Sequence, residues 1–172
     1  MRVLHSFVRA VVRDRQRDGD WDRNWNDGEH GAPVNQELLL ATLIDFSAVT
    51  WIGMARLGVE LTEAEKEANL YTWSIVGHLM GVSACRDGPL SLSDTDQIME
   101  YFSGTLESCA QGRRLMAALL AEMESFMPLG WRKLPRSLVR WIFQDWENDV
   151  ARVPDLLGVP KAAWWSVPLL AT

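Results

Sequence analysis

Between Asn35 and Gly58 the chain carries an apolar residue on almost every helical face, and no other stretch limits the possible folds so sharply. Asn35 has the side chain to accept from the free amides of a first helical turn, and Gly58 provides a left-handed stop. A helix over residues 36–57 that is apolar all round has no face to offer water, so it must lie at the centre of whatever forms. Its partner follows closely. Thr62 and Glu65 have the spacing of a capping box, and they open a second helix bearing Leu70, Tyr71, Trp73, Ile75, Val76, His78, Leu79 and Met80 before Gly81 ends it. The connection is short enough that the two helices must run antiparallel.

The remaining segments supply covering helices. Val3, Leu4, Phe7, Val8, Val11 and Val12 fall on one stripe of a helix from Arg2 to about Arg17, with arginines opposite. Residues 18–34, rich in Asp, Asn, Gly and Trp, read as a long irregular connection. Ser93 and Asp96 open a short helix to about Phe102. A longer one carries Leu106, Cys109, Leu115, Met116, Leu119, Met123 and Phe126 before Pro128. Pro135 suits the first turn of a helix containing Leu138, Trp141, Ile142 and Trp146, after which Pro154, Pro160 and Pro168 divide the tail. No period-two pattern survives. The expected fold class is all-α: one domain of 172 residues, a helical bundle around two central buried antiparallel helices.

Charge and cysteine content exclude several functions. A net charge of −6 disfavours a phosphate backbone as partner, and no basic helix interleaves aromatics for base stacking, so nucleic acid is not expected. The arginines at 9, 13, 15, 17 and 23 alternate with aspartates at 14, 18, 20 and 22, the pattern of a solvated helix end. Cys85 and Cys109 lack metal-type spacing, and no charged-then-apolar leader opens the chain, which fits a cytoplasmic protein. Arg56, the acidic residues at 63–67 and Arg86 break the most apolar region, so no membrane span is expected. Nine tryptophans suggest a wide core, or one that encloses something flat and apolar.

No phosphate-binding glycine loop, H-E-x-x-H or C-x-x-C is present, which removes support for nucleotide and hydrolytic chemistry. His30 falls in the polar connection, while His5 and His78 project from apolar helices. Gly77 and Gly81 flank His78, leaving room for a second helix or a planar ligand. Two readings follow. A single axial histidine in an apolar helical pocket is sufficient to hold haem iron. The alternative is a buried histidine bonded to a backbone carbonyl, with the glycines serving helix packing. Arg2 and Arg9 beside His5 would meet haem propionates or face water.

An ordered series of segments resembles the MpaB/rubber-oxygenase (latex-clearing protein) family, formerly a domain of unknown function of the DUF2236 type. The helix Arg2-Val3-Leu4-His5-Ser6-Phe7-Val8-Arg9 is similar to its arginine-and-histidine helix. Pro33-Val34-Asn35-Gln36-Glu37-Leu38 through Thr42-Leu43-Ile44-Asp45-Phe46-Ser47 resembles its P-(I/V)-N-Q-E-D-L…T-L…F-S segment. Gly58 with Leu61-Thr62-Glu63-Ala64-Glu65, then Tyr71-Thr72-Trp73-Ser74-Ile75-Val76-Gly77-His78-Leu79-Met80-Gly81-Val82, match in order, the latter resembling W-x-x-V-G-H-L-L-G-V. Leu134-Pro135 through Leu156-Leu157-Gly158-Val159-Pro160 resembles the terminal L-P…L-L-G-V-P region.

The resemblance covers nearly the whole chain. It implies an all-helical oxygenase-like domain over residues 1–172, b-type haem, and oxidative attack on a hydrophobic or lipid-like small molecule. Family chains extend further N-terminally, so part of the pocket wall is expected to be missing, leaving an apolar surface on which two copies could pair. The family's haem-ligating histidine falls in the Leu39–Leu43 region, where this chain has none. Haem ligation would then move to His78 or His5, or be lost; the leading expectation takes His78 as metal ligand, with His5 and Arg9 acting from a neighbouring helix, and no catalytic residue is assigned. A different class of function stands beside this one, a non-catalytic helical ligand-binding or interaction protein that retains the scaffold.

Overall fold

The computed structural model describes residues 1–18, 25–105, 107–143, 155 and 158–159. Among them there is no strand, as the apolar periodicity requires. Helices are α1 (Arg2–Asp18), α2 (Asp27–His30), α3 (Gln36–Ile44), α4 (Thr50–Arg56), α5 (Glu63–Met80), α6 (Leu92–Thr105), α7 (Ala110–Ser125) and α8 (Leu134–Phe143). The chain divides into two compact units, one formed by residues 1–51 and 61–96, the other by 52–60 and 97–172.

In the first unit, α3 and α5 form the expected antiparallel pair. The Gln36 side chain donates to Gly81 O (3.0 Å) and accepts from Ser83 N (2.8 Å), which joins the start of α3 to the end of α5. Further along, Phe46 stacks on Trp73 with ring centroids 5.2 Å apart. The end signals act as read. Asn35 Oδ1 accepts from Leu38 N, Thr62 and Glu65 form the reciprocal capping box, and Gly81 ends α5 at φ 84°. These satisfy donors and acceptors that a helix terminus otherwise leaves open.

Four expectations need correction. The helix expected over 36–57 is not uniformly α: Asp45–Val49 forms a π-helical turn between α3 and α4. Side-chain hydroxyls partner the loosened ladder, Ser47 Oγ donating to Leu43 O (2.8 Å) and Thr50 Oγ1 to Asp45 O (3.0 Å). Burial of α5 is confined to a line through Leu70, Ser74 and Gly77, while Tyr71, Ile75, Val76 and Leu79 are exposed. The cap of α6 is Ser91 with Asp94, not Ser93 with Asp96, because Ser91 Oγ accepts from Asp94 N (3.1 Å) and Asp94 Oδ2 from Ser91 N (2.8 Å).

The fourth concerns length. The helical run Gln36–Arg56 spans 21 residues and is long and apolar enough to cross a membrane, with 28 % of its most apolar window buried. Arg56 ends this run instead of interrupting it, so the expected absence of such a segment does not hold by length and composition.

In the second unit α7 begins at Ala110 with Cys109 as cap, its Sγ accepting from Gly112 N. Arg136 on α8 pairs with Glu124 on α7, and Arg140 reaches Val159 O and Asp155. Trp146 and most of the proline-divided tail lie outside the described residues.

Candidate functional site

Helix α5 and the segment after it build a pocket within the first unit. Tyr71, Ser74, Ile75, His78 and Leu79 recur at helical spacing along one side of α5, and Cys85, Arg86, Asp87, Gly88 and Pro89 form the facing wall. The cavity volume is about 380 Å³. What folds the wall back is a set of short-range bonds. Val82 N donates to Gly77 O (2.8 Å) as the helix closes, Ser83–Cys85 form a 3-10 turn, and Leu90 N donates to the buried Ser74 Oγ (2.9 Å).

Gly77 sets how closely the two walls meet. A methyl group at this position would overlap Leu43 Cδ1 and lie 2.8 Å from Cys85 Sγ, so only hydrogen leaves room for both. Cys85 is buried, and burial pushes its thiol up, with a Ser74 hydrogen bond opposing the shift. It therefore remains a protonated thiol, a poor metal ligand.

His78 lies in hydrogen-bond range of the Cys85 carbonyl, Nδ1 to O 3.2 Å. A carbonyl only accepts, so Nδ1 carries the proton in this bond, and the tautomer it selects has its lone pair on Nε2. This carbonyl bond is the one the packing alternative requires. The burial is not: His78 is exposed at the pocket edge, because the exposed side of α5 carries it away from the Leu70–Ser74–Gly77 line.

The other two expected site residues go elsewhere. Arg9 donates from Nε to Pro33 O (3.1 Å) and from Nη2 to Val34 O (3.0 Å), fixing the turn where Val34 adopts φ 54°. That conformation is strained for a β-branched residue, and two charge-assisted bonds hold it. His5 is half-buried on α1. Neither His5 nor Arg9 lines the pocket of His78. His30, also considered in the polar connection, packs edge-on against Trp25 at 5.4 Å.

Two contributors were not expected. The Cys85 carbonyl carries no sequence signal, since any residue has one. Arg86 could have been found as a cation six residues beyond the end of α5, but nothing in spacing tied it to His78. Among the described residues no three His, Cys, Asp or Glu side chains gather as a metal site, so a bare metal ion has no ligand set there. A porphyrin iron needs only one such donor from the protein, and His78 Nε2, beside the apolar faces of Tyr71, Ile75, Leu79 and Pro89 and the cation Arg86, fits that requirement.

A family model described as "ER-bound oxygenase mpaB/B'/Rubber oxygenase, catalytic domain" matches residues 1–169. No curated protein and no solved structure matches the chain significantly.

Proposed function

The chain belongs to the mpaB/rubber oxygenase catalytic-domain family, and on that premise we propose that it is a haem-dependent oxygenase-like protein acting on a hydrophobic organic substrate, with His78 as the residue that would hold the iron. One observation carries the assignment: the Cys85 carbonyl fixes the His78 ring through Nδ1 and leaves Nε2 as a neutral donor at a largely apolar pocket. Haem, when bound, supplies an iron centre at which dioxygen is activated.

The chain's own residues would do the rest. Cys85 O holds the imidazole orientation and raises the basicity of its free nitrogen. Arg86 offers the guanidinium for a propionate, a role that Arg9 cannot take while it bonds Pro33 and Val34. Tyr71, Ile75 and Leu79 provide the apolar surface against which a hydrophobic substrate sheds water.

The second reading, a scaffold that binds a ligand without catalysis, is favoured by one fact. Leu39 and Leu43, where the family's ligating histidine is expected, are buried core residues, and Leu43 packs against Gly77. Expression with haem supplementation separates the two. Purified protein with a Soret band that His78→Ala abolishes, at unchanged helix content, supports the oxygenase reading. Colourless protein supports the scaffold. Loss of the band in His5→Ala but not His78→Ala moves the iron to α1.

A further inference from the structure

Where α5 ends, the chain passes through Gly81 into the 3-10 turn Ser83–Cys85, and the direction of that turn decides where the Cys85 carbonyl points. The hinge itself is permissive. Gly81 stands at φ 84° with nothing within 4 Å of the place a side chain would take, so sterics at this residue do not fix the angle. The closing bond of the helix, Val82 N to Gly77 O, holds the chain only as far as Val82. Beyond it, Cys85 N donates to Val82 O and Arg86 N to Ser83 O, bonds of the turn that move with it. Burial of the Cys85 side chain sets its depth, but not the tilt of its carbonyl.

Gln36 supplies what the hinge lacks. From the first turn of α3 its side-chain amide bonds both sides of Gly81, Nε2 donating to Gly81 O (3.0 Å) and Oε1 accepting from Ser83 N (2.8 Å). The first is a carbonyl at the end of α5, the second an amide at the start of the 3-10 turn, and both are groups that a helix terminus leaves open. A primary amide donates and accepts side by side, so one residue caps two elements. Asn35 holds the start of α3 for this, its Oδ1 accepting from Leu38 N (2.9 Å) and its Nδ2 donating to His30 O (3.0 Å). Two residues after Ser83, the Cys85 carbonyl meets His78 Nδ1 at 3.2 Å. That is the long end of the range for such a bond, so a small tilt of the turn breaks it.

We propose that Gln36 is a positioning residue for His78: by bridging Gly81 O and Ser83 N it locks the turn that aims the Cys85 carbonyl, and so selects the ring tautomer with Nε2 unprotonated. Gln36 does not line the pocket and acts through the backbone between Gly81 and Cys85. Without the lock the ring returns to the preference of imidazole in water, with the proton on Nε2, the atom that must be free to meet iron. The inference rests on His78 as the site residue, but the proton position it concerns exists with or without haem.

The test is long-range proton–nitrogen NMR of the full chain without added haem, carrying isotope-labelled histidine, at about pH 8.5, where imidazoles are neutral. The chain has three histidines, and His78→Ala assigns the signal. Wild type should show His78 protonated at Nδ1. Gln36→Ala, and Gln36→Met, which keeps the length but removes the amide, should each lower the ratio of Nδ1-H to Nε2-H by about fivefold or more, the factor one net hydrogen bond supplies. Thr62→Ala removes the cap at the other end of α5 and should lower Tm without moving that ratio. A wild-type ring protonated at Nε2, or an unchanged ratio in Gln36→Met, overturns the proposal. So does a shift in Thr62→Ala as large as that in Gln36→Met, which would make the effect a general loosening of α5. Haem reports separately: the expected ratios in a protein with no Soret band keep this proposal and remove the oxygenase reading, and a Soret band with ratios indifferent to Gln36 does the reverse.

Discussion

Gly77→Ala is the substitution that most directly tests how the pocket walls are joined. The position lies inside α5 with ordinary helical backbone, so alanine gains about 1 kcal/mol of helix propensity. Against that gain, the new methyl overlaps Leu43 Cδ1 and comes within 2.8 Å of Cys85 Sγ, and both side chains are buried with little room to turn away. Overpacking of this kind costs about 1–3 kcal/mol, and two simultaneous collisions argue for the upper end. The net destabilisation is then about 2 kcal/mol, which for a chain of this size lowers Tm by about 4–8 °C. Thermal and urea melts followed by circular dichroism measure it. Gly88→Ala in the same pocket wall is the control, because nothing lies within 4 Å of its added methyl, and it should shift stability by less than about 0.5 kcal/mol. Adding Leu43→Ala to Gly77→Ala should destabilise by less than the two single changes together. A Gly77→Ala protein as stable as the wild type, or strict additivity with Leu43→Ala, would refute the close-contact argument.

Arg9→Gln should lower stability by about 1–3 kcal/mol through loss of the charge-assisted bonds to Pro33 O and Val34 O, seen as a lower Tm, while leaving any haem spectrum in place, since Arg9 is not at the His78 pocket. The capping carboxylates Glu65 and Asp94 are held below the ordinary carboxylate range by bonds from Thr62 and Ser91. Their unfolded forms bind protons first, so their stabilisation is complete above the unfolded values and is lost as pH falls through the lowered folded values. Thr62→Ala should flatten the acid limb of a stability-versus-pH curve. Asp45 has the opposite sign, because burial raises its carboxyl. Its folded form keeps the proton longer, so stability declines as pH rises from the unfolded value through the folded one, and Asp45→Asn should raise Tm at neutral pH with little change in acid.

Helix existence and many of the ends were legible because their causes are local. Asn35, Thr62 with Glu65 and Gly81 act through atoms within a few residues of themselves, so the sequence contains the whole interaction. Ser91 and Ser93 show where that fails, since both precede an aspartate by three and only backbone direction chooses between them. The direction in which each helix faces was less legible. On α5 the line that enters the core carries Ser74 and Gly77, small residues that permit close approach, while larger apolar side chains stay outside. Counting apolar residues cannot anticipate this, because closeness of packing depends on the partner, here Leu43 and Cys85. On α1 the apolar stripe is exposed at Val3, Leu4, Phe7 and Val8, while Arg9 turns inward to the carbonyls of Pro33 and Val34. Of the candidate site residues, His78 reaches a pocket, whereas the grouping with His5 and Arg9 rested on order along the chain and the pocket lining does not include them.

The π-helical turn at Asp45–Val49 has a consequence for how this chain should be compared with others. A π turn holds one residue more than the α turn it replaces, and an α-helix advances about 100° per residue, so this insertion rotates everything after it while leaving the helix unbroken. Trp51, which follows the turn in that rotated phase, is buried. A homologue lacking the extra residue would need its one-position gap inside the helix, between Asp45 and Val49, and an alignment that allows gaps only in loops would set Thr50–Arg56 out of register with its true counterparts.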